Sequence, residues 1–280
     1  MAPLLQASGL TVELPTPQGW IQPVQDLSFR IEEGEVLSIV GESGSGKTML
    51  ALALMGLLPR GGRATGEAIL QSRAPEDGGM PGRSANLLAA SPPEMRAIRG
   101  REIAIVFQEP LSALNPVMRA GAQIEEAIRA HQPRLRARKV RELALESMRR
   151  AAIPQAEIRA SQYPHQLSGG LRQRTMIAMA LASGPRLLIA DEPTTALDPT
   201  VQKQILELLK RLGDELGLAI LFITHDLAVA NEIADRLCVM NAGRFVEEGP
   251  AGEVLTHPRH AYTKKLLRAA PRLVRRAVGS

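Results

Sequence analysis

The sequence predicts an α/β protein: a core of buried strands and helices, an antiparallel β edge part, and an α-helical subdomain inserted into the core. Three observations predict it. An apolar run at 36–40 leads through a glycine-rich turn into an alanine- and leucine-rich run at 49–58, the strand, loop and helix that a polyphosphate-binding loop needs. A second apolar run, 187–192, ends in two adjacent carboxylates, Asp191 and Glu192. Between these halves the pattern turns helical. The expected organisation is one domain over 1–280, with 1–110 and 184–280 as the core and its antiparallel part and 111–183 as the helical subdomain.

Residues 10–14 and 24–31 read as two short strands joined by a turn containing Pro and Gly. Leu27, Phe29 and Ile31 alternate with polar neighbours, as a half-buried strand should. A polar turn at 32–35 enters the central strand. The loop after it is Gly41, Glu42, Ser43, Gly44, Ser45, Gly46, Lys47 and Thr48. Its three glycines let the backbone curl so that successive N–H groups face an anion, and the following helix adds its positive end. Lys47 is placed to reach the β- and γ-phosphates and the Thr48 hydroxyl to hold Mg²⁺. Residues 59–66 read as a loop and 67–70 as an edge strand. Residues 71–93, rich in Gly, Pro, Ser and Ala, read as a mobile surface insertion, and 93–99 as a short helix.

The strand at 102–107 ends in Gln108, Glu109 and Pro110. Ligands gather at the C-terminal ends of strands in open α/β sheets. Gln108 is therefore a candidate for Mg²⁺ or the attacking water, with a strand-end amide satisfying the backbone as the alternative. Helices are expected at 123–130 and 134–152. In the second, Val140, Leu143, Ala144, Met148 and Ala151 share a face. Seven Lys/Arg against two Glu between 134 and 150 make the other face basic. It reads as a solvated face, with a nucleic-acid or acidic-lipid patch as the alternative.

Leu167, Ser168, Gly169, Gly170 and Leu171 open a helix that runs to Leu181. Ser168 is a natural N-cap. Two glycines at a helix start expose N–H groups to an anion, a second phosphate-binding end. Asp191 would hold the Mg²⁺ shell and Glu192 would orient or deprotonate the attacking water. A polar turn containing Asp198 precedes an amphipathic helix at 201–216. The buried strand 218–224 ends in His225, placed to contact a γ-phosphate. Residues 236–240 and 244–247 form a last pair of strands. Residues 257–276 form a basic helical tail with seven Lys/Arg and no acid. No internal repeat is present.

Composition narrows the classes. The formal net charge of +5 permits contact with an anionic surface. Aromatic residues make up 2% of the chain, against the base-stacking platforms of single-strand binders. The single cysteine, Cys238, excludes an intrachain disulfide and a cysteine-based metal cluster. Its apolar surroundings read as a buried strand, and a reducing cytoplasm fits. No signal peptide is expected at the N-terminus, and the longest apolar run, 49–58, is too short to span a bilayer.

In this order the motifs resemble those of the ATP-binding cassette ATPases. GESGSGKT resembles the Walker A loop, Gln108 the Q-loop glutamine, LSGGLRQ the signature motif, LLIADE the Walker B strand, Ala196-Leu197-Asp198 the D-loop and His225 the switch histidine. The resemblance implies a P-loop NTPase (RecA-like) core and a cytoplasmic ATPase that uses ATP and Mg²⁺. It implies Glu192, His225 and Gln108 as catalytic residues, and Thr48, Gln108 and Asp191 around the metal. It also implies a head-to-tail dimer, in which Ser168 and Gly170 of one chain cap the γ-phosphate held by Lys47 of the other. The implied partners are a second ATPase subunit (identical or paralogous), two membrane permease subunits and, indirectly, a substrate-binding protein. No nucleic acid is expected. The implied place is the cytoplasmic face of the inner membrane. A groove near 108–116 would receive a permease coupling helix.

FQEPLSALNP, YPHQLSGGLRQR, IADEPTTALD, ITHDLAV and HPRHAYTKKLLRAAP are similar to the ATPase subunits of peptide and nickel importers. Three departures stand out. Leu14 occupies the place of an aromatic that packs on adenine, with Trp20 the nearest substitute. Gln166 stands where the branch often has Glu. A cysteine-rich extension is absent, so no iron–sulfur cluster is expected, and nickel, metallophore or other small-solute cargo gains weight against peptides. Two rivals stay open: an accessory ATPase of a soluble complex such as a carbon–phosphorus lyase assembly, and a nucleic-acid-linked ATPase.

Overall fold

The computed structural model describes residues 2–71, 84–195 and 197–269. Strands β1 (Leu5–Thr16) and β2 (Gly19–Ile31) form a hairpin, followed by β3 (Val36–Val40), α1 (Lys47–Leu54), β4 (Arg63–Leu70), β5 (Ala85–Asn86) and α2 (Pro92–Ile98). Next come β6 (Ile103–Val106), α3 (Pro110–Ala113), α4 (Ala120–His131), α5 (Ala137–Arg150), α6 (Ala156–Ala160) and α7 (Gly169–Leu181). The last elements are β7 (Leu187–Asp191), α8 (Pro199–Leu216), β8 (Ala219–Thr224), α9 (Leu227–Ile233), β9 (Arg236–Asn241), β10 (Arg244–Pro250), α10 (Ala251–Thr256) and α11 (Ala261–Ala269). The chain divides into two units, Met1–Arg96 with Ala219–Ser280, and Ala97–Leu218.

In the first unit, β2, β1, β4 and β5 lie in that order as an antiparallel sheet. β3 lies between β8 and β9, parallel to both, and β10 adds antiparallel to β9. All five residues of β3 and all six of β8 are buried. Parallel strands covered on both faces read as unbroken apolar runs, which is why these were legible without alternation. Arg236 ties this region together: its guanidinium reaches Glu35 at 2.7 Å and also pairs with Glu248. Cys238 is fully buried in β9, and burial pushes its thiol pKa up.

Several boundaries differ from the sequence expectation, and four elements show a local reason. α1 stops at Leu54 instead of 58. Gly56 (φ +60°) supplies a left-handed turn, its N–H donates to Ala53 O at 3.0 Å and the Leu57 N–H to Leu52 O at 2.8 Å, the Schellman stop. β4 starts at Arg63, inside the expected loop 59–66. Gly66 looks like a turn residue but sits within the strand at φ +90°, where a Cβ would lie 2.4 Å from Gly9 O. Close backbone approach is the other use of glycine in a strand. β1 and β2 are longer than expected, because register shifts at Ala7/Leu10, Leu10/Val12 and Val12/Leu14 break the two-residue alternation.

In the second unit, β6 and β7 pair in parallel from Ile103↔Leu187 to Val106↔Ala190. Ile124 and Ile128 of α4, Val140 and Met148 of α5 and Met176 of α7 are buried in its core. The basic face of α5 is solvated: Arg138 pairs with Glu142 and Arg150 with Glu146, four residues apart, at exposed positions. Such pairs contribute about 0.2–0.5 kcal/mol each.

Most of the expected insertion lies outside the described residues. Its described end, 84–93, holds β5 and the start of α2. The expected helix 257–276 begins only at Ala261, and its part beyond Ala269 lies outside the described residues. Helices α9 and α10 were not expected from the sequence.

Candidate active site

Each unit carries its own group of candidate residues. In the first, the chain leaves β3 at Gly41 and enters α1 at Lys47. Gly41 and Gly46 are required by space. A Cβ on Gly41 would lie 2.1 Å from Met240 O, and one on Gly46 would lie 1.9 Å from Pro23 O. Gly46 also takes φ +107°, which L side chains rarely adopt. The loop is braced from the β9–β10 turn, where the Gly243 N–H donates to Ser45 O at 3.0 Å. No side chain caps the start of α1.

Lys47 is 4% exposed, and its Nζ donates to Gly41 O at 2.8 Å, Glu42 O at 2.9 Å and Ser45 Oγ at 3.3 Å. The loop is thus wound around the ammonium. Ser43, Gly44 and Thr48 are exposed, as is Glu42, whose N–H donates to the Tyr262 hydroxyl at 3.1 Å and whose carboxylate lies 3.1 Å from Lys265 Nζ. Thr224 pairs with Val40, so His225 follows at the level of Gly41 on the adjacent strand. It is exposed, and Asp226 beside it caps α9 by accepting from the Ala228 N–H at 2.7 Å. Leu14 pairs with Ile21. Trp20 is 53% exposed, with the Arg63 guanidinium 4.4 Å from its ring centre.

In the second unit, the parallel pairing of Val106 with Ala190 brings Gln108 alongside Glu192. Gln108 Nε2 donates to Glu192 Oε2 at 3.3 Å, and Thr195 Oγ1 donates to the same oxygen at 2.8 Å. Glu192 adopts φ +47°, while Asp191 ends β7 at 4% exposure. Thr195 was not singled out from the sequence. Its signal is the spacing, three residues after the carboxylate across a tight turn.

Leu167 is buried and anchors the segment that exposes Ser168 and Gly169. Ser168 caps α7, its Oγ accepting from the Leu171 N–H at 3.3 Å. A Cβ on Gly170 would lie 2.8 Å from Val201 Cγ1, so this glycine lets the start of α7 approach α8. Asp198 caps α8, accepting from the Thr200 N–H at 3.1 Å and the Val201 N–H at 3.0 Å.

Comparison with known proteins gives a consistent picture. A family model described as ABC transporter matches residues 24–195, and one described as the C-terminal region of oligopeptide/dipeptide transporters matches 246–278. The chain is 49% identical over 273 residues to a putative peptide import ATP-binding protein of Brucella melitensis biotype 1, covering 97% of this chain and 78% of that one. A protein of the same description from Brucella abortus is 46% identical over 272 residues, with the same coverage. Among solved structures, the dimeric ATP-binding cassette MJ0796, in a post-hydrolysis state bound to ADP and Pi, aligns with a TM-score of 0.74 and 29% identity over 88% of this chain and 98% of that one. CbiO1 of Clostridium perfringens, part of the transporter complex cbiONQ, aligns with a TM-score of 0.71 and 26% identity over 99% of both chains.

Proposed function

We propose that this chain, which belongs to the ABC transporter family, is the ATP-hydrolysing subunit of an importer for a small solute, with peptides as the cargo class best supported. The observation that carries the hydrolytic reading is Glu192, a carboxylate at a strand end held by two donors on one oxygen. The match at 246–278 and the names of the relatives support peptides over nickel or a metallophore.

In this reading ATP lies on the loop Gly41 to Thr48. The amides there and the N-terminal end of α1 face its phosphates. Lys47 exchanges loop carbonyls for phosphate oxygens, so the winding of the loop around its ammonium prepares a place for anionic ligands. Thr48, Gln108 and Asp191 would hold Mg²⁺. Hydroxyl, amide and carboxylate oxygens are the hard donors this ion takes. Among the described residues no cluster of three or more His, Cys, Asp or Glu could hold a metal by itself. That fits an ion whose shell is completed by substrate phosphates and water. When bound, it neutralises charge on the β- and γ-oxygens.

Glu192 accepts the proton of the attacking water. Gln108 and Thr195, converging on Oε2, fix the rotation of the carboxylate and so the direction in which Oε1 faces. His225 contacts the γ-phosphate from the end of β8. Ser168 and Gly170 act on the nucleotide of a second ATPase subunit, and Asp198 shapes the turn beside them. The core of 1–110 and 184–280 and the helical part of 111–183 act as one nucleotide-binding domain.

Among the described residues no helix is long and apolar enough to cross a membrane. In this reading two permease subunits hold the ATPase at the cytoplasmic face, and a substrate-binding protein selects the cargo outside. A tagged pull-down from detergent-solubilised membranes tests this. Co-purification of multi-spanning permeases is the expected result. Recovery of soluble enzymes alone would overturn the importer reading and leave the ATPase chemistry in place.

A further inference from the structure

We propose that Tyr262, near the C-terminal end of the described chain and in none of the motifs above, is a positioning residue for the phosphate loop, 220 residues from its hydrogen-bond partner Glu42. The inference rests on the reading of that loop as the ATP site. The peptide group between Gly41 and Glu42 is gripped on both edges. Its carbonyl oxygen, Gly41 O, accepts from Lys47 Nζ at 2.8 Å. Its N–H, that of Glu42, donates to the Tyr262 hydroxyl at 3.1 Å. In a trans peptide these two groups point in opposite directions. The phenol therefore fixes the rotation of the same plane whose other edge meets the lysine.

The surroundings hold the phenol in place. Tyr262 is 9% exposed and packs with Val40, Leu227, Leu237, Val239 and Val254. Its own N–H donates to His260 Nδ1 at 3.2 Å. The Glu247 carboxylate accepts from the Arg259 N–H at 2.7 Å and the His260 N–H at 3.1 Å, which fixes the entry into α11. Lys265, one turn further along α11, adds an exposed ion pair to the Glu42 carboxylate at 3.1 Å. When Lys47 turns to phosphate, the hydroxyl continues to hold the peptide plane, so the loop does not have to be reordered as ATP binds.

Tyr262→Phe in the full chain removes only the acceptor oxygen. The expected result is a rise in the Kd for ATP, and in KM, of about three- to tenfold, the range that one net hydrogen bond supports. The kcat at saturating ATP should stay at the wild-type value, and the melting temperature of the nucleotide-free protein should fall modestly, because the bond is made without nucleotide. Unchanged nucleotide affinity overturns the proposal, whatever kcat does. A loss of affinity that a core variant with an equal fall in melting temperature, such as Val254→Ala, reproduces also overturns it, because the hydroxyl would then serve folding alone. A wild-type chain that bound no ATP would instead remove the loop assignment itself.

Discussion

Glu192 occupies a backbone conformation that side chains other than glycine, asparagine and aspartate seldom take, with φ at +47°. A left-handed residue of this kind costs about 1–2 kcal/mol, and such strain collects at functional sites. Here it turns the chain immediately after β7 and delivers the carboxylate to Gln108 and Thr195. In Glu192→Gln the amide keeps the shape and an acceptor oxygen but loses the carboxylate proposed as the base. ATP hydrolysis should fall roughly 10²–10⁴-fold, with ATP binding retained, as paired turnover and nucleotide-binding assays would read. The adjacent carboxylates at a strand end were legible in the sequence because an apolar run pointed at them. The contact between Gln108 and Glu192 was not, because 84 residues separate them and only the pairing of β6 with β7 closes the distance. Tyr262 was unreadable for the same reason, at a separation of 220.

At the scale of elements, the helices and strands that carried a clear period or an unbroken apolar run were found, and several of their ends were not. The start of α7 is one that was found: Ser168 caps it, as its sequence announced. α9 was missed although Asp226 followed by Leu227, Ala230 and Ile233 is a capped helical pattern. Seven residues are too few for that period to stand out. Packing between helices can be tested at Gly121 of α4, where a Cβ would lie 2.7 Å from Ala160 Cβ and 3.0 Å from Ala160 O of α6. Gly121→Ala gains up to about 1 kcal/mol of helix propensity. Overpacking costs typically 1–3 kcal/mol. The second term should win, giving a net loss of about 1 kcal/mol, read from the midpoint of denaturant unfolding.

At the scale of the whole molecule, the order of motifs was enough to place the chain in its family, since each local signature survives in one-letter text. The division of the chain was harder to see, because the first unit is assembled from both ends of the sequence. Glu247 is one of the joints that bring the C-terminal segment back. Burial works to raise its pKa, but the hydrogen bonds it accepts, including those from the Arg259 and His260 amides, outweigh this and hold it below the ordinary 4.5. A carboxylate depressed on folding stabilises fully above its unfolded value, and that contribution is lost as pH falls through the folded one. Hydrogen-exchange protection around 259–267 should therefore hold above pH 4.5 and weaken below it, before strands β3 and β8 lose theirs.

The lone thiol of Cys238 turns the protein into its own opening clock. It is fully buried in β9, directly beside β3, and burial keeps it protonated. A thiol-trapping reagent can therefore label it only when that strand separates. Because β3 ends in the loop assigned to ATP, saturating nucleotide should lengthen the labelling half-time, with no engineered probe. The same inert thiol leaves the surface free for cysteines placed by design.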